Sequence, residues 1–168
     1  TRVQEGTLDL KLTPELVDEV VGEAVGHLSH VARADHDIEV RSGDGVLMAK
    51  LDARLIMQVV VNLVDNAVKY APKGTLIDAS VRRDGRRVIC EVADAGPGIP
   101  GAEKAHVFEE FYTVRGISPV DGRRSLGLGL SLCKSIVEAH GGRIWVRDNK
   151  PQGSVFGFSL PAYDPPGL

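Results

Sequence analysis

From residue 52 onward the chain sets apolar pairs four residues apart: Leu55/Ile56, Val59/Val60, Leu63/Val64 and Ala67/Val68. That spacing lays one apolar stripe along a helix and fits no strand, whose side chains alternate with a period of two. A stripe two residues wide over four turns has to be buried against another layer of structure. Asp52 ahead of it is an N-cap residue, and Pro72 with Gly74 stop it. The fold is therefore built around a long amphipathic helix in the middle of the chain.

The flanking patterns say what that helix can pack on. Residues 7–12 alternate like a short strand. Thr13 then reads as an N-cap and Pro14 as the first residue of another helix, striped by Leu16/Val17, Val20/Val21, Ala24/Val25, Leu28 and Val31/Ala32. Residues 37–41 and 46–51 read as strands on either side of Ser42-Gly43-Asp44-Gly45. Residues 75–83 and 86–94 flank Asp84-Gly85, a strong hairpin signal. A short helical stretch follows near 103–108, then an irregular segment over 113–126. A helix over 128–140 stops at Gly141-Gly142, and strands over 144–148 and 155–160 close the chain. Strands and helices mix without a regular βαβ rhythm, which points to an α+β two-layer sandwich.

Composition excludes several functions. The 168 residues suit one domain, with 43% hydrophobic and 26% charged residues, so no metal or disulfide framework is required to stabilise it. The net charge is −3 and aromatics are 5%, which leaves no basic, aromatic-bearing nucleic-acid surface. Arg82, Arg83, Arg86 and Arg87 read as a solvated hairpin tip. No apolar run reaches the roughly 20 residues of a membrane span. Cys90 and Cys133 suggest a reducing, cytoplasmic setting, and Cys90, between Val88 and Val92, reads as a core residue on a strand. The chain begins within a polar segment at Thr1, as a piece of a longer protein would, and its last residues, 163–168, read as a frayed tail.

Three elements carry chemistry. Asn62, Asn66, Lys69 and Tyr70 share the polar face of the mid-chain helix. Asparagine is a poor interior helix former, but its amide oxygen is a ligand for a hard cation, and a nearby lysine can hold phosphate oxygens. Asp94-Ala95-Gly96-Pro97-Gly98-Ile99-Pro100 follows a strand directly. Its glycines let backbone approach a flat ligand, and the carboxylate can accept from an exocyclic amine, favouring adenine over guanine. Gly127-Leu128-Gly129-Leu130 opens a helix whose N-terminal N–H groups suit phosphate. Singly, these features are equally compatible with a solvated helix face, a surface turn and an ordinary helix start.

In this order and spacing they resemble the histidine-kinase branch of the GHKL ATPase superfamily. Asn62…Asn66-Ala67-Val68-Lys69-Tyr70 resembles its N box, Asp94 to Ile99 its G1 box, Phe108-Glu109-Glu110-Phe111-Tyr112 its F box, and Gly127 to Leu130 its G2 box. Glu138-Ala139-His140-Gly141-Gly142, Gly153-Ser154-Val155-Phe156 and Leu160-Pro161 resemble the family's closing helix and last strand. The likeness is closest to Kdp-type potassium-responsive sensor kinases, through Asp52-Ala53-Arg54-Leu55, the stretch from Tyr70 to Thr75 and Gly142-Arg143-Ile144-Trp145.

The resemblance implies the Bergerat fold, a mixed sheet of about five strands backed by three helices, with a catalytic domain over 7–162 and the end of a dimerisation region or linker over 1–6. It implies ATP and Mg²⁺ as cofactors, with Asn62 and Lys69 as catalytic residues and Asn66 as metal ligand. Asp94, Gly96, Gly98 and Ile99 would hold the base, and Asn62, Lys69 and Tyr70 would line the nucleotide. Ser125, Leu126, Gly127, Leu128 and Gly129 would meet the phosphates. Ser125 departs from the family's glycine. Phe108 and Phe111 would anchor a lid over 112–126, which also holds Arg115, Arg123 and Arg124. The implied reaction transfers the γ-phosphate to a histidine on a separate dimerisation domain, with a response regulator downstream and the parent protein anchored at the inner membrane. His27, His30, His36, His106 and His140 all lack the family's acceptor context. A GHKL ATP hydrolase, a serine kinase of the anti-sigma type and a binding module without nucleotide are the alternatives. The hydrolases carry a glutamate base where this chain has Asn62.

Overall fold

The computed structural model describes residues 9–28, 30–110, 112 and 128–167. Its elements are β1 (Thr13–Leu16), α1 (Val17–Gly26), α2 (His30–Asp35), β2 (Ile38–Ser42), β3 (Met48–Leu51), α3 (Ala53–Tyr70), β4 (Ile77–Asp84), β5 (Arg87–Ala93), α4 (Gly101–Lys104), α5 (Leu128–Ala139), β6 (Arg143–Asp148) and β7 (Ser154–Pro161). Five strands form one sheet in the order β2-β4-β5-β7-β6, with β2 parallel to β4 and the other pairs antiparallel. The α+β two-layer arrangement stands as the patterns imply.

The mid-chain helix runs as expected. Asp52 caps α3 by accepting from the Leu55 N–H, and it also accepts from the Lys11 N–H at 3.1 Å. Ile56, Val59, Val60, Leu63, Val64, Ala67 and Val68 are all buried. At about 1.5–3 kcal/mol for each fully buried Val, Leu or Ile, this face is a large stabilising contribution. It packs with α1 and α5 on one face of the sheet, against Ile77, Ala79 and Val81 of β4, Val88, Cys90 and Val92 of β5, and Phe156, Phe158 and Leu160 of β7. His140 ties the helix layer together: its Nδ1–H donates to the Ile136 carbonyl at 2.8 Å, and its Nε2 accepts the Asp52 N–H at 3.0 Å. The C-terminus of α5 is thereby joined to the N-cap of α3.

The N-terminal third departs from the pattern. Thr13 and Pro14 are not a helix start. Residues Thr13–Leu16 pair antiparallel with β3, and the Val17 N–H donates to the Leu47 carbonyl at 2.8 Å. Strand hydrogen bonding has displaced the local cap preference, and Pro14, with no N–H to donate, is accommodated in a short two-stranded ribbon. Residues 9–12 form no strand. The first helix is divided into α1 and α2, with His27 as the C-cap of α1. The two strands around residues 42–45 belong to different sheets, β2 beside β4 and β3 beside β1. The hairpin turn is shifted by one residue: Asp84 pairs with Arg87, so Gly85 and Arg86 form the loop, with Gly85 at φ +61°. The short helix lies at Gly101–Lys104, ahead of the expected 103–108.

Two further expectations change. Of the four clustered arginines, Arg82 bonds Glu91 on the sheet, Arg83 grips Asp164, and Arg87 donates to the Gly141 carbonyl. Only Arg86 occupies the turn. The tail is held at its root, where the Tyr163 N–H donates to the Met48 carbonyl at 2.8 Å and Lys50 lies over the Tyr163 ring. Among the described residues no helix is long and apolar enough to cross a membrane.

Candidate functional site

The site grows from the end of β5. Asp94 is only 5% exposed, and its Oδ1 accepts the Gly96 N–H at 2.8 Å and the Ser154 N–H at 3.3 Å. Oδ2 has no partner among the described residues. Burial pushes the Asp94 carboxyl above the usual aspartate range, and the two backbone donors and the field of His36 only partly offset this. Among the described residues the one buried side-chain oxygen or nitrogen without a partner is Asp18 Oδ1, so Asp94 Oδ2 is open to solvent, where an incoming donor can reach it.

The turn between β6 and β7 holds Asp94 in place. Asn149 Nδ2 donates to the Asp94 carbonyl at 2.8 Å, and Gln152 Nε2 donates to the Ala95 carbonyl at 3.1 Å. Gly153, at φ +110°, packs so closely that a Cβ there would lie 1.9 Å from the Asp94 carbonyl oxygen. Asn149 and Gln152 escaped the sequence reading because they lie more than fifty residues downstream of the loop they support. Their one sequence signal is polarity in a turn just ahead of Gly153.

Gly96 brings the loop to the end of α3. A Cβ on it would lie 2.9 Å from Asp94 Oδ1 and 3.3 Å from the Tyr70 carbonyl oxygen. Gly98 takes φ +80°, which favours glycine. Ile99 packs against the core, and its carbonyl accepts from Lys104 Nζ at 2.9 Å. Phe108 stands edge-on to Phe156, with ring centroids 6.1 Å apart.

On α3, Asn62 and Asn66 are half-buried one turn apart. Gly129 on α5 faces the first of them, since a Cβ there would lie 3.9 Å from the Asn62 amide. Asn62 Nδ2 donates to Cys133 Sγ at 3.7 Å, and the thiol in turn donates to the Val59 carbonyl. Cys133 is another residue that sequence reasoning missed; its position one helical turn beyond Gly129 was the available signal. Lys69 pairs with Asp65 at 3.3 Å, and Tyr70 is half-buried, with its phenol pKa raised by burial.

Asn62, Asn66, Lys69, Tyr70, Asp94, Gly96, Gly98, Ile99 and Gly129 thus lie along α3, the loop after β5 and the start of α5, whereas Phe108 lies beyond α4 against Phe156 of β7. Phe111, Ser125, Leu126 and Gly127 lie outside the described residues, as do Arg115, Arg123 and Arg124 and the lid segment apart from Tyr112. Leu128 begins α5, but its side chain lies outside the described residues as well.

Comparison with known proteins bears on the family and the fold. The family described as histidine kinase-, DNA gyrase B-, and HSP90-like ATPase matches residues 51–164. The sensor protein KdpD of Clostridium acetobutylicum is 42% identical over 161 residues, which is 96% of this chain and 18% of that protein. The chain therefore spans under a fifth of that relative's length. The mycobacterial sensor histidine kinase MprB superposes with a TM-score of 0.79 at 27% identity, covering 89% of this chain and 97% of that one. Full-length ShkA in complex with AMPPNP superposes at 0.76 with 29% identity, covering 96% of this chain and 33% of that one. An ordered series of motifs, a matching sheet and a buried aspartate at the loop lead to one conclusion: the chain belongs to the histidine kinase-, DNA gyrase B- and HSP90-like ATPase family.

Proposed function

We propose that this domain binds Mg·ATP along α3, the loop of residues 94–100 and the start of α5, and passes the γ-phosphoryl group to a histidine on the dimerisation domain of its parent kinase. The observation that carries the reading is Asp94. Its carboxylate is buried, raised in pKa, fixed by two backbone N–H groups on Oδ1 and unpaired on Oδ2. That oxygen suits an exocyclic amine donor such as adenine N6, and the glycines at 96 and 98 keep side chains off the base. Guanine would present a carbonyl there and be rejected, because a base covering Oδ2 would strip it of water and leave acceptor facing acceptor.

The donor set fits magnesium. Among the described residues no group of three His, Cys, Asp or Glu could hold a metal alone, whereas Mg²⁺ keeps several waters and binds through one or two protein oxygens plus phosphates. Asn66 would supply such an oxygen, and bound Mg²⁺ would neutralise charge on the phosphates. Asn62 is an amide with its nitrogen engaged by Cys133, so it cannot deprotonate water. That favours transfer to a histidine over hydrolysis. Lys69, now paired with Asp65, would turn to a phosphate oxygen when nucleotide binds. ShkA, solved with AMPPNP, supports a nucleotide in the same fold.

The test uses labelled ATP with and without a histidine-bearing dimerisation domain supplied as a separate chain. Acid-labile phosphate should appear on that partner alone, and the domain by itself should hydrolyse ATP only at a trace rate. Strong self-labelling, or brisk hydrolysis that Asn62→Ala abolishes, would overturn the proposal. A downstream response regulator completes the proposed pathway, and the parent chain's anchoring in a membrane belongs to the same reading.

A further inference from the structure

Cys133 lies on α5 where that helix packs on α3, and it is fully buried. Its sulfur meets two groups of α3: it accepts from Asn62 Nδ2 at 3.7 Å and donates its own proton to the Val59 carbonyl at 3.8 Å. A thiol carries one proton, so with that proton on Val59 the sulfur can only accept from Asn62. The amide therefore meets α5 with its nitrogen. Gly129, one turn earlier on α5, borders the same end of the amide, since a Cβ there would lie 3.9 Å from Asn62 Nδ2.

The other end of the amide is left for a ligand. Asn62 Oδ1 accepts from no described residue, and it is open to solvent in the same way as Asp94 Oδ2. The two ends of an amide have nearly the same size and shape, so packing alone does not choose between them. Hydrogen bonding makes the choice. An oxygen turned outward suits a hard cation or a water that the cation holds, whereas an outward NH₂ would point its hydrogens at the positive charge.

We infer that Cys133 is a positioning residue for the nucleotide site: its sulfur holds the Asn62 amide so that the oxygen is turned out of the contact between α3 and α5, available to Mg²⁺ and its waters. The inference rests on the proposed reading of α3 and the start of α5 as the phosphate end of the site. The sulfur bond itself is weak, and its effect is orientation. A side chain already fixed in the free domain loses less freedom when a ligand arrives. A residue that only filled the core would act on stability, with no effect that depends on Mg²⁺ or passes through Asn62.

The first measurement is made on the chain without nucleotide, as a nuclear Overhauser contact between the Asn62 side-chain amide protons and the Cys133 β protons. The second compares the wild type with Cys133→Ala, each shown to be folded by its thermal melt, in titrations with adenosine and with a non-hydrolysable ATP analogue, the latter with and without Mg²⁺. The factor by which Mg²⁺ strengthens binding of the analogue should fall about fivefold or more in Cys133→Ala, while adenosine affinity stays within about twofold. In an Asn62→Ala background the same substitution should leave that factor unchanged, because nothing remains to be oriented. The inference is overturned if the contact is absent, if Cys133→Ala leaves the Mg²⁺ factor as it was, or if the factor falls equally in the Asn62→Ala background. A wild type that shows the contact but gains nothing from Mg²⁺ overturns the reading of the phosphate end, and the role of Cys133 with it.

Discussion

Replacing Asp94 by asparagine separates binding from folding at this site. The amide oxygen can keep both bonds now made by Oδ1, to the Gly96 and Ser154 N–H groups. What changes is Oδ2, which becomes an NH₂ that faces the incoming amine donor to donor. A hydrogen bond to a charged acceptor is worth roughly 1.5–3 kcal/mol, so ATP affinity should fall about 10- to 150-fold. Stability should move the other way. A folded-state pKa raised above the unfolded value contributes stability that is present below the unfolded pKa and is lost as pH rises through the folded pKa. Asp94 is such a group, so at neutral pH its ionised carboxylate is a cost that the neutral amide does not carry. The variant should melt at the wild-type temperature or slightly above, with the difference shrinking as pH is lowered through the Asp94 pKa. Calorimetric titration with a non-hydrolysable ATP analogue and a thermal melt at neutral and acid pH measure both quantities. Titration with adenosine, which has no phosphate to ionise, should show wild-type affinity falling as pH drops through that same raised pKa, and no such fall in the variant. Unchanged ATP affinity in the folded variant, or a melting temperature several degrees lower, would refute the reasoning.

Asn66→Ala should weaken Mg²⁺-dependent ATP binding about tenfold or more while adenosine affinity stays within about twofold, because only the oxygen offered to the cation is removed; paired titrations with and without Mg²⁺ check this. Gly153→Ala should destabilise by about 3 kcal/mol or more, since the added Cβ meets the Asp94 carbonyl in a backbone conformation that disfavours side chains; denaturant unfolding measures it, and a loss under about 1 kcal/mol would contradict the contact. Cys90 and Cys133 should both resist alkylation at pH 8 in the native state and react on unfolding, because burial pushes each thiol up to about 12, for Cys90 with help from the neighbouring Glu91 charge; mass spectrometry after iodoacetamide treatment is the readout. Glu91→Gln should destabilise at neutral pH and cease to matter in acid, since a depressed folded pKa contributes stability that is present above the unfolded value and lost as pH falls through the folded one; melting curves from pH 7 downward test the sign.

By itself the sequence determined whatever depends on neighbours along the chain. The four-residue spacing of apolar pairs from Leu55 to Val68 dictated α3, because only a helix gathers that pattern onto one face. The alternation around Asp84-Gly85 dictated the β4–β5 hairpin, and Asp94 followed by Gly96 and Gly98 marked the loop where a base can approach. Tertiary structure decided the rest, because it turned on partners distant in sequence. Thr13 and Pro14 carried a sound local helix-start signal, but the edge of β3, more than thirty residues away, offered strand hydrogen bonds instead. Arg82 looked like part of a solvated tip until strand register set it beside Glu91. The carboxylate on which the proposed nucleotide site turns was legible at Asp94. The groups that hold it, Asn149, Gln152, Gly153 and the Ser154 N–H, reach it only when β7 pairs with β5 and the β6–β7 turn closes over the loop. Local propensity is worth a few tenths to about 1 kcal/mol per residue, and long-range pairing and burial outweigh it wherever the two compete.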